Sequence, residues 1–241
     1  AIHTVNSSPG VLWAAANTNF TYGVFRSADY GQTWESRSIG LPEYVVVSDI
    51  AINPFNPNVL VAALSEGNGL YLTINGGESW KLVFDEFECG KILFSNEHDG
   101  VVIAQQSNHY PALAYSYNGG ENWEVIPYNF FLDASYNSFE LIDSENSIDI
   151  YLTTGEIGIV KYNFSVPQRY TATFSINNED GEIITDAIIT FNNVEHSSGL
   201  YVFNYLFPAD YSFSVSKEGY VDYIGNLVII DENVNVNVVL E

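Results

Sequence analysis

The octet SADYGQTW at residues 27–34 recurs as TINGGESW at 73–80 and as SYNGGENW at 116–123, and this repeat predicts the fold. In each copy a polar side chain that can accept turn amides precedes a glycine that can supply a positive φ, and a tryptophan begins the next strand. These residues are Asp29, Gly31 and Trp34 in the first copy, Asn75, Gly77 and Trp80 in the second, and Asn118, Gly120 and Trp123 in the third. Each octet is predicted to form a tight turn whose tryptophan ring is buried against the hairpin.

The spacing of the octets predicts the larger repeating unit. Consecutive copies lie 46 and 43 residues apart, within the range of about 40 to 50 residues of a four-stranded β-propeller blade. Helical periodicity is almost absent, whereas short runs rich in Val, Ile, Tyr, Phe and Thr recur between Gly, Asn, Asp and Pro clusters. We expect an all-β protein whose first part contains four blade-like units, at residues 1–39, 46–84, 90–128 and 136–164.

The fourth of these units is incomplete, since it has three strand-like runs but no octet and no outer strand. Such a unit leaves a strand edge and an apolar sheet face uncovered. We expect it to be covered by the start of the chain, by the C-terminal domain or by a second chain. The short linker at 165–168 favours the C-terminal domain together with a neighbour.

The octets resemble the Asp-box, or BNR repeat, of bacterial sialidases, xyloglucanase-type glycosidases and sortilin-like receptors, whose pattern is Ser-x-Asp-x-Gly-x-Thr-Trp. The first copy matches at Ser27, Asp29, Gly31, Thr33 and Trp34, and the other copies replace Asp with Asn and Thr with Ser79 or Asn122. The resemblance implies a structural role at the blade periphery, away from the axial site. Propellers of this kind have six or more blades, so four units either close a small ring, are completed by another chain, or belong to a longer parent chain.

The pattern changes at Pro167, which divides the chain into an Asp-box domain at 1–164 and a second domain at 168–241. The closing run NVNVNVVL places Val234, Val236 and Val238 on one strand face, which predicts a half-exposed strand of a β-sandwich. The domain resembles the carboxypeptidase regulatory-like family of transthyretin-type sandwiches. The residues that carry this resemblance are Gly181, Ala187, 199–203, Leu206, Pro208, Tyr211, Gly219 and Tyr220. Members of that family generally act as spacers or docking modules.

Charge and composition restrict the partners. Seven basic residues against 30 acidic ones give a net charge of −23, which repels phosphate backbones and anionic lipid and favours neutral glycans, cations or basic proteins. The single Cys89 allows no internal disulfide, and no apolar run is long enough for a transmembrane helix. The chain contains no Met, so we expect Ala1 to be a processed or excised end and the protein to be secreted or at a bacterial cell surface.

Catalytic chemistry has weak support in the sequence. The resemblance implies that a sialidase would need an arginine cluster, but Arg26, Arg37 and Arg169 are dispersed. A xyloglucanase-like hydrolase would need an acid and a base facing each other across a cleft. The best candidates for that pair are Asp49, at the start of an inner strand, and Asp133. We expect the protein to have no catalytic residue. If it is a hydrolase, Asp49 and Asp133 are the expected catalytic pair.

No metal or cofactor is expected. The four histidines are scattered without zinc-ligand spacing. Asp clusters could hold calcium through oxygen ligands, but the sequence contains no DxDxDG loop. Exposed aromatic rings in loops are common platforms for sugars and proteins. The candidate ligand-binding residues of this kind are His109, Tyr110, Tyr128, Phe130 and Phe131. The alternative is that these rings cover the packing between blades.

The sequence therefore predicts a non-catalytic extracellular binding or structural module that recognises a glycan or protein partner. Two alternatives remain open, namely a fragment of a xyloglucanase-like glycoside hydrolase and a self-associating subunit of a surface filament.

Overall fold

The chain is all-β and divides into two compact units, Ala1–Val166 and Pro167–Glu241. In the part of the chain described by the computed structural model, no residue lies in a helix. The described residues are 2–4, 10–18, 21–65, 67–86, 88–107, 112–126, 136–154 and 158–241.

Four antiparallel sheets, here called blades 1 to 4, make up the described part of the first unit. In each blade the strands pair in the order in which they occur in the sequence. Blade 1 contains β1 (Ile2–Thr4), β2 (Leu12–Thr18), β3 (Thr21–Ser27) and β4 (Glu35–Ser36); blade 2 contains β5 (Val47–Ile52), β6 (Leu60–Leu64), β7 (Gly69–Thr73) and β8 (Lys81–Phe84). Blade 3 contains β9 (Cys89–Phe94), β10 (Val102–Gln106), β11 (Leu113–Ser116) and β12 (Glu124–Val125); blade 4 contains β13 (Tyr136–Ser144), β14 (Ser147–Thr154) and β15 (Gly158–Ser165).

The second strand of a central blade is buried on both faces, as the run LVAAL of β6 shows. All five residues, Leu60–Leu64, are buried, because blade 1 covers one face and blade 3 the other. The turn before β6 is fixed by Asn53, whose side-chain oxygen accepts the Phe55 amide at 2.8 Å. Continuous apolar character, rather than alternation, is the expected pattern of a strand enclosed in this way.

Three apolar clusters join the blades in series. Trp13 and Val24 of blade 1 pack with Leu60 of blade 2. Val61 and Leu72, on the other face of blade 2, pack with blade 3, and a third cluster joins blade 3 to blade 4. Among the described residues no such cluster combines blade 1 with blade 4.

The second unit consists of two sheets around one apolar core. Its central aromatic residue is Phe174, whose ring centroid lies 5.5 Å from that of Phe203 in its own sheet and 4.9 Å from that of Phe213 in the other. One sheet has the order β19 (Val202–Leu206), β16 (Tyr170–Asn178), β22 (Val234–Leu240). The other has the order β18 (Val194–Glu195), β17 (Ile188–Phe191), β20 (Ala209–Ser216), β21 (Tyr223–Ile229).

The turn at 179–181 leads the chain from one sheet to the other. Gly181, at φ +81°, donates its amide to the Asn178 carbonyl at 3.0 Å. A single bridge, Asn177 to Ile183, follows, and Ile188–Phe191 then pairs with β20 in the opposite sheet. Ile176, before the turn, and Ile189, after it, both belong to the apolar core between the two sheets. The chain therefore contributes to this core from both sheets.

Candidate functional site

The first Asp-box turn is held together by the side chains of Ser27 and Asp29. Ser27 Oγ donates to Asp29 Oδ1 at 2.8 Å and accepts the Gly31 amide at 2.8 Å. Asp29 Oδ1 accepts the Thr33 amide at 2.9 Å, and Oδ2 accepts the Thr33 hydroxyl at 2.6 Å. These bonds, with the Thr33 hydroxyl first, lower the pKa of Asp29 to about 2.

The second and third boxes repeat this geometry with asparagine in place of aspartate. Asn75 Oδ1 accepts the hydroxyl of Thr73 at 2.8 Å and the amide of Ser79 at 3.1 Å. Asn118 Oδ1 accepts the hydroxyl of Ser116 at 2.9 Å and the amide of Asn122 at 3.0 Å. An uncharged oxygen therefore suffices to close the turn.

The three box tryptophans differ in burial. Trp80 is 5% exposed, and its ring nitrogen donates to the Arg37 carbonyl of blade 1 at 2.7 Å. Trp123 is half-buried and packs on the core shared with blade 2. Trp34 is 39% exposed. The prediction that all three rings are buried is therefore wrong for Trp34, because the covering surface belongs to the preceding blade rather than to the ring's own hairpin.

The candidate binding site is an open groove of about 490 Å³ between the first strands of blades 2 and 3, here called the β5–β9 groove. Its walls are formed by neighbouring β-strands of two different sheets. The lining residues are 48–52, Pro54, 90–94 and Asn96. The groove therefore combines strand backbone with both polar and apolar side chains.

Side chains of the first strands join neighbouring blades across this region. Asp49, on β5, accepts the amide of Ile92 of β9 through Oδ2 at 2.9 Å. Asp143, on β13, accepts the Ser95 hydroxyl at 2.6 Å and the Asn96 amide at 3.0 Å. Both aspartates thus hold one blade to the next.

Lys91 extends the link from blade 3 to blade 4. Its ammonium group donates to Phe139 O at 2.6 Å, to Glu140 Oε1 at 2.9 Å and to Ser138 Oγ at 3.0 Å.

Cys89, at the start of the same strand, is buried, and this burial raises the pKa of its thiol. A thiol of this kind is inert rather than nucleophilic.

Asp49 is the one predicted catalytic residue placed in the groove. Arg26 and Arg37 both pair with Glu35 on blade 1, at 3.2 and 2.7 Å. The remaining candidates, His109, Tyr110, Tyr128, Phe130, Phe131 and Asp133, lie outside the described residues.

Sequence reasoning did not single out Lys91, Ser95 or Asp143. Their partners lie 47 to 49 positions away, so no local motif marks them. One usable signal is positional, since all of them lie on or directly after the first strand of a blade.

Within the described part of the chain, no group of three or more His, Cys, Asp or Glu side chains could hold a metal ion. The described residues also form no helix that could cross a membrane.

A known protein family matches most of the chain. The sequence model of the Sortilin-Vps10 family matches residues 22–202, about three quarters of the chain. The description of this family is "Sortilin, neurotensin receptor 3". That match continues past residue 166 into the first strands of the second unit. No curated protein sequence matches.

The fold has counterparts among solved structures. An ancestral GH74 enzyme aligns with a TM-score of 0.55 at 15% identity, over 94% of this chain and 30% of that one. The GH74 enzyme of Niastella koreensis aligns at 13% identity and a TM-score of 0.49, over 94% of this chain and 38% of that one. YCF48 bound to D1 peptide aligns at 17% identity and a TM-score of 0.47, over 68% of this chain and 49% of that one. The chain thus spans less than half the length of these proteins.

Proposed function

The chain belongs to the Sortilin-Vps10 family, and we propose that it is a non-catalytic binding module of a secreted or cell-surface protein. In this proposal the β5–β9 groove takes a protein or glycan partner. The family description names a receptor, neurotensin receptor 3, which supports recognition rather than turnover as the task of the fold.

The observation that carries the proposal is the position of the Asp49 carboxylate. Its Oδ2 accepts the Ile92 amide at 2.9 Å, and the bond joins β5 to β9 along the groove. A carboxylate oxygen that accepts a backbone amide is held in one orientation. This arrangement suits a residue that shapes a binding groove.

The chemistry of the groove indicates what it would accept. Two strand edges with intervening polar and apolar side chains can engage an extended peptide through main-chain hydrogen bonds and side-chain pockets. The net charge of −23 favours a neutral or basic partner through long-range attraction. A basic peptide segment and a neutral oligosaccharide are therefore the two partner classes to test.

The test is a binding screen with two probes, a random peptide display library and an array of β-glucan and xyloglucan oligosaccharides. Asn96, which is exposed at the groove, is replaced by tyrosine to obstruct it. Asn226→Tyr, at an exposed position of β21, is the matched control. We expect ligands that bind the wild type and the control but lose binding to Asn96→Tyr. Ligands whose binding is equal in all three proteins would contradict the groove as the site.

The rival function is that of a glycoside hydrolase fragment, and the observation favouring it is that Asp49 lies in a groove. Its second carboxylate, Asp133, falls outside the described residues. Release of oligosaccharides from xyloglucan or β-glucan by the full-length protein would support this rival. The filament alternative predicts concentration-dependent assembly, which sedimentation velocity detects.

A further inference from the structure

The strand β21 forms one edge of the four-stranded sheet of the second unit, and it pairs only with β20. Its sequence, YIGNLVI, contains no charged residue and no proline. Natural edge strands are commonly short, or carry a lysine or a proline that prevents pairing with another chain. The strand β21 has seven residues and neither safeguard, so it can accept a further strand.

Three residues of β21 direct their backbone groups away from the sheet. The amide of Asn192 donates to the Ser212 carbonyl at 2.8 Å, so Ser212 faces β17 and its neighbour Phe213 faces β21. Phe213 lies opposite Gly225, and Gly225 therefore faces β20. The alternate residues of β21 turn their N–H and C=O groups to the open edge, and these residues are Ile224, Asn226 and Val228. Among the described residues no hydrogen bond occupies these groups.

The open edge also carries exposed apolar side chains. Ile224 is 82% exposed and Val228 is 55% exposed, and Ile230, directly after the strand, is 71% exposed. The intervening Leu227 and Ile229 are buried in the core. Apolar side chains beside unpaired backbone groups form a template to which an extended peptide can be added.

A groove of about 250 Å³ lies beside the start of this edge. The amide of Val221 donates to the Glu241 carbonyl at 2.8 Å, which ties the start of β21 to the end of β22. The groove combines apolar side chains with the carboxylates of Asp222 and Glu241, and its lining residues are 221–224, Val239 and Glu241. Such a groove suits the aliphatic stem and the charged end of a lysine or an arginine.

Both ends of β21 are flanked by exposed acidic residues. Asp222 precedes the strand, and Asp231 and Glu232 follow it. Lys217 is the only lysine or arginine between residues 170 and 241, and it is paired with Asp186. The edge therefore attracts a cationic segment and repels an anionic one.

We propose that β21 binds an extended, basic segment of another polypeptide by strand addition. The backbone of this segment pairs with the outward N–H and C=O groups of Ile224, Asn226 and Val228. One of its lysine or arginine side chains enters the groove beside Asp222, and its apolar side chains cover Ile224 and Val228. This site belongs to the second unit and does not rest on the function proposed for the β5–β9 groove.

A second copy of the chain is a poorer occupant of this edge. If the β21 strands of two copies paired antiparallel about Asn226, Asp222 of each copy would lie close to Asp231 of the other. Like charges facing each other across two strands are destabilising, and each chain carries a net charge of −23. Charge therefore favours a basic partner over a second copy.

The experiment measures the binding of two fluorescein-labelled peptides to the 241-residue chain by fluorescence anisotropy at low ionic strength. The peptide KVKVKVK alternates lysine and valine, and KKKKVVV has the same composition and charge without alternation. We expect the alternating peptide to bind about tenfold more tightly, because only it can place lysine on one face of an added strand and valine on the other. Hydrogen exchange of the Ile224, Asn226 and Val228 amides should slow in its complex.

Two variants test the edge, and a third tests a different site. Asn226→Pro removes an outward N–H without removing a bond to β20, so it should weaken the binding of KVKVKVK about tenfold. Ile224→Lys leaves the backbone intact and places a positive charge at the groove, so it should also weaken binding. Asn96→Tyr, in the β5–β9 groove, should bind the peptide as the wild type does.

Four results would overturn the proposal. The first is no binding of KVKVKVK to the wild type, or equal binding of the two peptides. The second is equal binding of KVKVKVK by the wild type, Asn226→Pro and Ile224→Lys. The third is loss of binding in Asn96→Tyr alone, which would assign the peptide to the β5–β9 groove. The fourth is a wild-type dimer in sedimentation velocity that Asn226→Pro abolishes, which would make a second copy the occupant.

Discussion

The carboxylate of Asp29 accepts hydrogen bonds from the Thr33 hydroxyl, the Thr33 amide and the Ser27 hydroxyl. Because these bonds hold the pKa of Asp29 at about 2 in the folded protein, its ionised form stabilises the fold above its unfolded value near 3.8. This stabilisation is lost as the pH falls from about 4 to 2.

We expect Asp29→Asn to resemble the wild type at low pH and to be less stable than it at neutral pH. The physical reason is that asparagine keeps one acceptor oxygen, as Asn75 and Asn118 do, but carries no charge. Thermal unfolding of both proteins between pH 2 and pH 7 checks this. A stability difference that does not change with pH would contradict the role of the charge.

Gly77 tests the contact between two blades at a single position. It has φ +78°, and a Cβ would lie 2.7 Å from the Trp13 ring. Gly67 has φ +75°, and a Cβ there would have no atom within 4 Å. The variant Gly67→Ala therefore measures only the cost of placing alanine in a left-handed backbone conformation.

We expect Gly67→Ala to lower the free energy of unfolding by about 1 to 2 kcal/mol, because alanine strains the left-handed backbone. Gly77→Ala should lower it by roughly 1 to 3 kcal/mol more than that, because the added methyl group also overpacks the contact with Trp13. Urea unfolding measures both. Equal losses in the two variants would show that the Trp13 contact has no energetic weight.

At the level of elements, the first strands of the blades are joined by side chains rather than by sheet hydrogen bonds. Lys91 of β9 donates to Phe139, Glu140 and Ser138 of β13. Three donors on one ammonium group hold blade 4 against blade 3.

Lys91→Met keeps the aliphatic stem and removes these bonds, so we expect the free energy of unfolding to fall by about 1 to 2 kcal/mol. Hydrogen exchange should accelerate in β13 and β14 and stay unchanged in β16. Lys81→Met, at an exposed position of β8, is the matched control and should have little effect. Unchanged exchange in β13 would show that the apolar cluster alone holds blade 4.

Elements with a local signature were predictable, and those fixed by distant partners were not. The three octets specify their turns through residues two to four positions apart, so sequence alone located them. The exposure of Trp34 depends on a neighbouring blade, and the hydrogen bond of Asp49 spans 43 positions. The crossing after Ile183 was not predictable, because a turn sequence does not reveal which sheet the next strand joins.

The second unit has an apolar core of its own. All 14 of its buried core residues lie between Ala172 and Leu240, and none of them comes from the blades. Residues 167–241 are therefore predicted to fold alone, although a unit of this size has a modest stability margin.

Expressed separately, residues 167–241 should give a dispersed NMR spectrum and one cooperative thermal transition. Residues 192–241, which lack β16 and β17, should not fold, because they lack Phe174 and Ile189 of the core. An unfolded spectrum for residues 167–241 would show that the unit depends on the blades.

A paired measurement distinguishes the proposed role of Asp49 in shaping the groove from a role in catalysis. Xyloglucan turnover and unfolding free energy are measured for the full-length wild type, Asp49→Ala and Asp49→Asn. We expect no turnover in any of them, a loss of about 1 to 3 kcal/mol in Asp49→Ala, which leaves the Ile92 amide without its acceptor, and a smaller loss in Asp49→Asn. Turnover by the wild type that disappears in Asp49→Asn at unchanged stability would show instead that Asp49 is a catalytic residue.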